Sequence, residues 1–258
     1  MNCDPSNPKG AGIVDVWQEN LPVRFGSIDK SNRLTLNAVF QYFQEAAISH
    51  ADNLGVGREE MAASGQVWLL SRMTVSVNKR SDYLDTITIR SWPRGHEKLF
   101  VIRNYEIKDK AGNSVVAGKS AWLVVDLGKR RPLRPEVIME RMPSNHGLDT
   151  FTAEDNAASG LEERSNLVKV SERKALYTDI DYNGHVNNVR YIQWIEDTLD
   201  TKLLENAGKM RLDINYLNEV LLGDKIDIYS GTLNENTFTF DGKKENGQSA
   251  FRAELKLE

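Results

Sequence analysis

Cysteine is almost missing from this chain: 258 residues carry one, Cys3. A single thiol excludes an intrachain disulfide framework and any zinc site built from several thiolates. Cys3 sits in the lead MNCDPSNPKGAG, read as a disordered segment over 1–12, so a thiolate held against a distant histidine is not expected. Histidine is scarce too. Of the four, His50 falls in a helix pattern, His96 in a loop and His146 in a connector, with no H-E-x-x-H or paired-His spacing. No metal and no cofactor are expected. No apolar run approaches the ~18 residues of a membrane span. Basic residues do not dominate either: 33 Lys and Arg against 37 Asp and Glu leave a net charge of -4, which argues against a nucleic-acid partner. The lead lacks the basic and apolar regions of a secretory signal and the Arg-rich character of a transit peptide, so a cytoplasmic protein is expected. Neither a G-x-S-x-G elbow nor a G-x-x-x-x-G-K-[ST] loop occurs, and GVGREE at 55–60 reads as a turn after a helix.

What is present is one arrangement written twice. Leu36, Val39, Phe40, Phe43, Ala46, Ala47 and Leu54 recur at helical spacing and predict a helix over about 36–54. Alternating segments then predict antiparallel strands at Val67–Val77, Thr86–Trp92, Leu99–Ile107 and Val115–Leu127, with KDKAGN at 108–113 as a hairpin turn. The second half repeats the plan. A helix is predicted from Asn188 to Glu205, with Val189, Ile192, Ile195, Leu199 and Leu203 on one side. Strands follow at Arg211–Tyr216, Lys225–Ser230, Thr237–Asp241 and Phe251–Leu257, with a turn at Glu245–Gln248. Between the halves, prolines and clusters of Asn, Asp, Ser and Glu mark a connector over 136–165. The chain is thus expected to fold as α+β, with one repeat at 13–135 and another at 166–258.

The chemistry concentrates in YTDIDYNGHVNNVRYIQWIED at 177–197. Asp181, Asn183 and His185 alternate there and lead straight into the second helix. A carboxylate, an amide and an imidazole beside a helix N-terminus supply a proton acceptor, an orienting group and backbone N–H donors for a developing anion. The two halves align at this turn, Phe25-Gly-Ser-Ile-Asp29 against Tyr177-Thr-Asp-Ile-Asp181. Where the second continues to His185 the first has Arg33, and where the second has Glu219 the first has Arg80. One site per chain is expected, built by the second half.

The segment resembles the motif of the acyl-acyl carrier protein thioesterase family, approximately Asp-x-Asn-x-His-Val-Asn-Asn before an aromatic helix, which this chain matches with Asp181, Asn183, His185, Val186, Asn187, Asn188 and Tyr191. A further acid of the family about 35 residues on corresponds to Glu219 in NYLNEVLLGDK, and the cysteine that plant members carry next is here Val220. The resemblance covers about 13–257 and implies a tandem, or double, hotdog fold, each half a long central helix wrapped by an antiparallel sheet. It also implies hydrolysis of fatty acyl thioesters on acyl carrier protein, with a 4′-phosphopantetheine-linked acyl chain as the partner's cargo. His185 would be the base or proton shuttle, Asp181 and Glu219 would orient it or activate water, and Asn183 would position water or the thioester. Asn187 and Asn188 would cap the helix or hold the loop. Attack by water is favoured, with covalent attack by a carboxylate as the variant.

For the acyl chain the resemblance points to the first half, where Phe40, Phe43, Met61, Trp68 and Leu70 are candidates for setting tunnel depth. For an acidic carrier protein, Lys129, Arg130, Arg131 and Arg134 in GKRRPLRP form the densest basic run, with Lys79 and Arg80 as neighbours. Competing readings are a hotdog thioesterase acting on coenzyme A esters and a non-catalytic acyl-binding or sensing protein. A homodimer is compatible with all of these.

Overall fold

The computed structural model describes residues 12–143, 145, 147–148 and 160–258. Cys3, the rest of the lead through residue 11 and His146 lie outside the described residues, as does much of the expected connector. In chain order the elements are β1 (Trp17–Pro22), α1 (Leu36–Asn53), α2 (Arg58–Ala63), β2 (Gln66–Val77), β3 (Thr86–Glu97), β4 (Phe100–Lys108), β5 (Ser114–Asp126), β6 (Arg131–Pro132), α3 (Glu136–Met139), β7 (Val168–Lys174), α4 (Asn188–Glu196), α5 (Thr201–Asn206), β8 (Met210–Tyr216), β9 (Lys225–Asn234), β10 (Thr237–Lys244) and β11 (Ser249–Leu257). The chain groups into two units, Met1–Met73 with Lys79–Ala158 and Thr74–Asn78 with Ser159–Glu258. The class is α+β with antiparallel sheet, and no helix among the described residues is long and apolar enough to cross a membrane.

In the first unit the strands run in the order β1-β3-β4-β5-β2, with β6 on β5. Helix α1 starts where Thr35 turns its hydroxyl onto the Ala38 N–H at 3.1 Å, a cap that satisfies one of the donors a helix leaves open. Its apolar face buries Leu36, Val39, Phe40, Phe43 and Ala46 beside β3 and β1. Strand β3 runs past the expected end at Trp92 because a bulge between Pro93 and Gly95 absorbs the proline, so His96 belongs to a strand rather than a loop. The GVGREE segment is only half a turn. Gly57 caps α2, which places Met61 in a cluster with Leu54, Val56, Val101, Val124 and Ile138 of α3.

In the second unit the order is β8-β11-β10-β9-β7. Strand β7 is not expected from the sequence: its alternation is confined to Val168 and Val170, both exposed, before the polar run Ser171 to Lys174. The helix expected over 188–205 is broken into α4 and α5. Thr198 turns its hydroxyl back onto the Ile195 carbonyl at 2.8 Å, and Asp200 caps a new helix by accepting from the Lys202 N–H at 2.7 Å. Leu203, expected on the buried side, is therefore exposed. The core of the unit gathers Ile192, Ile195, Leu212, Ile214, Ile226, Ile228, Phe240 and Phe251. A β-carbon at Gly242 would run into the Phe251 ring, so any side chain there would have to displace that buried ring.

Candidate active site

Asp181, Asn183 and His185 lie on one tight turn that feeds α4. The Asp181 Oδ1 accepts the Asn183 N–H at 2.8 Å, the Asp181 N–H donates to the His185 carbonyl at 2.9 Å, and the Gly184 N–H donates to the Asp181 carbonyl at 3.0 Å. Gly184 has φ 84°, a left-handed conformation that the turn demands and glycine supplies without strain. Asn187 caps α4 by accepting the Val189 N–H at 3.0 Å, and Asn188 is the first helical residue. The helix entry offers fewer free donors than the sequence suggests: the N–H groups of Val186, Asn187, Val189 and Arg190 donate to Val220 O, Asp179 O, Asn187 Oδ1 and Asn187 O.

Glu219 arrives from the loop after β8. Val186 N–H donates to the Val220 carbonyl at 2.8 Å and His185 bridges Leu221, so the two segments pair like a short ladder. That pairing brings the Glu219 carboxylate to 3.2 Å from the His185 Nε2, with both side chains open to solvent. Tyr191 of α4 is buried against Phe251 at 5.0 Å and Tyr216 at 6.0 Å between ring centroids. Burial first, then the charges of Asp181, Asp224 and Glu219, push the Tyr191 phenol well above its usual range.

The first unit holds the same backbone pattern. Ser31 N–H donates to Asp29 Oδ1 at 2.8 Å, Asp29 N–H to the Arg33 carbonyl at 2.9 Å, and Leu34 N–H to the Ser81 carbonyl at 2.8 Å. The register makes Asp29 the counterpart of Asp181, Arg33 of His185 and Arg80 of Glu219. Arg80 is buried, donates to the Leu34 carbonyl at 2.8 Å and the Arg33 carbonyl at 3.1 Å, and pairs with the Asp29 carboxylate. Burial acts to raise the Asp29 carboxyl, but the Arg80 hydrogen bond and charge and the Arg33 and Ser31 N–H groups outweigh it and hold the carboxyl below its usual range. Arg80 is thus buried and engaged with Asp29, Leu34 and Arg33, in contrast to the exposed side chains of the basic run.

Lys129, Arg130, Arg131 and Arg134 all stand exposed, as does Lys79. Of the acyl-chain candidates, Phe40, Phe43 and Met61 are buried, with Phe43 stacked on Tyr105 at 4.8 Å, while Trp68 and Leu70 are half-buried. Trp68 donates to the Val56 carbonyl at 2.8 Å and joins the cluster around Met61. No group of three or more His, Cys, Asp or Glu is placed to hold a metal ion among the described residues. His50 is buried in unit one, bonded to the Val14 carbonyl and the Arg103 guanidinium, and takes no part in the turn. Sequence reasoning missed Asp224 and Lys244, which hold the Glu219 loop; the alignment of Asp85 with Asp224 in the two halves was a signal for the first, and none existed for the second.

A family model described as the acyl-ACP thioesterase N-terminal domain matches residues 14–140, and one described as the C-terminal domain of the same family matches 162–257. The chain belongs to the acyl-ACP thioesterase family. A chloroplastic palmitoyl-acyl carrier protein thioesterase of Cuphea hookeriana is 28% identical over 229 residues, covering 83% of this chain and 55% of that protein. An oleoyl-acyl carrier protein thioesterase of Arabidopsis thaliana is 24% identical over 269 residues, covering 93% of this chain and 72% of that one. The chain spans little more than half the length of the Cuphea relatives it matches. Among solved structures, an acyl-ACP thioesterase from Bacteroides thetaiotaomicron shares the fold at TM-score 0.76 and 23% identity, covering 99% of this chain and 100% of that one. A 12:0-ACP thioesterase from Umbellularia californica does so at TM-score 0.79 and 19% identity, covering 94% and 97%.

Proposed function

We propose that this chain hydrolyses fatty acyl thioesters of acyl carrier protein, releasing free fatty acid, on a tandem hotdog scaffold. The observation that carries the reading is the His185–Glu219 pair at 3.2 Å, open to water, in a member of this family. In the tautomer this pairing favours, Nε2–H donates to Glu219 and Nδ1 carries the lone pair that takes a proton from water. The water oxygen bonds to the thioester carbonyl carbon, the C–S bond breaks, and the proton passes to the departing thiolate. Glu219 orients the imidazole and stabilises it once charged. Asp181 keeps the turn closed through Oδ1 and uses its other oxygen to hold and activate the attacking water, and Asn183, exposed at its tip, positions water or the thioester.

In this reading 13–135 holds the acyl chain near Phe40, Phe43, Met61, Trp68 and Leu70, 136–165 connects, and 166–258 carries the chemistry. The exposed Lys129, Arg130, Arg131 and Arg134 meet the acidic carrier protein and its phosphopantetheine arm. A cytoplasmic location and a homodimeric assembly belong to the same proposal. The test is hydrolysis of one acyl group carried on acyl carrier protein and on coenzyme A. Faster turnover of the carrier-protein ester is expected; equal or faster turnover of the coenzyme A ester overturns the substrate, and no hydrolysis of either leaves an acyl-binding protein.

A further inference from the structure

Lys244 ends β10 beside the loop that carries Glu219. Its ammonium donates to the Glu219 main-chain carbonyl at 2.8 Å and pairs with the Asp224 carboxylate at 2.9 Å. The same Asp224 Oδ2 accepts the Leu221 N–H at 3.0 Å, and Leu221 bridges His185. One side chain therefore ties both ends of the 219–224 turn, whose first residue presents its carboxylate to the imidazole.

The other unit shows that the fold does not need this lysine. The hairpin at Lys244, with Lys244 N–H on the Gln248 carbonyl at 2.9 Å and Gly247 N–H on the Lys244 carbonyl at 2.9 Å, recurs at Asp109, where Asp109 N–H meets the Asn113 carbonyl at 2.9 Å and Gly112 N–H the Asp109 carbonyl at 2.9 Å. The matching 80–85 turn still closes, Asp82 N–H on Asp85 Oδ2 at 2.9 Å, although an aspartate stands where the second unit has the lysine. The ammonium occurs on the copy that has Glu219. We propose that Lys244 is a positioning residue that fixes the Glu219 main chain so that its carboxylate meets His185 Nε2; this rests on the reading of His185 and Glu219 as the hydrolytic pair. A half-exposed ion pair contributes little to stability, whereas misplacing a reacting group by a fraction of an ångström costs rate steeply.

The test uses the full chain with an acyl-carrier substrate. Lys244→Met is expected to lower kcat about tenfold with KM within about twofold, Lys244→Arg to recover most of the loss, and Lys244→Met to add less than about twofold in a Glu219→Gln background. Amide exchange in the 219–224 turn should quicken about tenfold or more in Lys244→Met. That readout needs no activity, so an inactive wild type would sink the hydrolase reading while exchange still decides the clamp. Unchanged kcat, losses that multiply in the double variant, or unchanged exchange would each overturn the proposal. Should Lys244→Met not fold, Asp224→Asn, which removes the ammonium's charged anchor, reads the same dependence.

Discussion

Arg80 and Glu219 occupy the same place in two copies of one backbone pattern and carry opposite charge. Each follows a strand and precedes the residue whose carbonyl accepts the N–H of the helix-leading segment, Leu34 on Ser81 and Val186 on Val220, both at 2.8 Å. Arg80 folds inward onto Asp29, closing its turn with an ion pair whose guanidinium is buried. Glu219 faces outward to His185 at 3.2 Å. One copy therefore uses the position to lock the turn, and the other leaves a carboxylate and an imidazole in contact with water.

His185→Ala, Glu219→Gln and Asp181→Ala should each lower turnover at least about a hundredfold, as removal of a proton-transfer unit does. Asp181→Asn keeps an acceptor for the Asn183 N–H, so it should lose activity while unfolding at the wild-type denaturant concentration; Asp181→Ala should cost about 1 kcal/mol as well. Cys3→Ser should leave kcat within about twofold, because the scheme uses no thiol.

Arg80→Met should destabilise the fold by about 3 kcal/mol, since it strips a cation from Asp29 and a donor from the Leu34 and Arg33 carbonyls. The Asp29 carboxyl is held below its usual range, so its contribution is present above the unfolded value and is lost as pH falls through the lower folded one. Urea unfolding at neutral and strongly acid pH should show the variant losing less stability on acidification than the wild type. An equal loss would show that Asp29 is not held by Arg80.

His50 gives a second pH signature. Burial, then the Arg103 charge, lower its imidazole from 6.5 to about 3, against the opposing bonds to Val14 and Ser91. A group depressed in the folded state contributes stability above its unfolded value, so the wild type should lose up to about 1.4 kcal/mol per pH unit as pH falls below that value, until the folded imidazole itself protonates. His50→Gln should flatten this slope, measured as unfolding free energy between pH 7 and 4.

The basic run should govern encounter rather than chemistry. Paired Arg130→Glu and Arg131→Glu changes should raise KM for the carrier-protein substrate about tenfold and leave kcat nearly unchanged, with wild-type kcat/KM falling as salt rises. Stopped-time assays across ionic strength read both effects.

Much of the local order was legible. The end of α1 fell within one residue of its expected boundary because Thr35 caps one end and Gly55, at φ 66°, lies just beyond the other. The strand meanders and the alignment of Asp29 with Asp181 were legible as well, since alternation and turn residues are local signals. The break between α4 and α5 was not, because Asp200 reads equally as a helix-face residue and as a cap until the chain commits to one.

By itself the sequence determined where the reactive groups cluster along the chain, that the pattern occurs twice, and that only one copy keeps a histidine. These are matters of spacing, and spacing is local. Only the tertiary structure decided that Glu219 meets His185, that Arg80 is consumed by Asp29, and that Lys244 holds the Glu219 loop. Each of these joins segments from about 25 to 51 residues apart through strand register and burial, which arise when the sheet assembles and leave no mark on the order of residues.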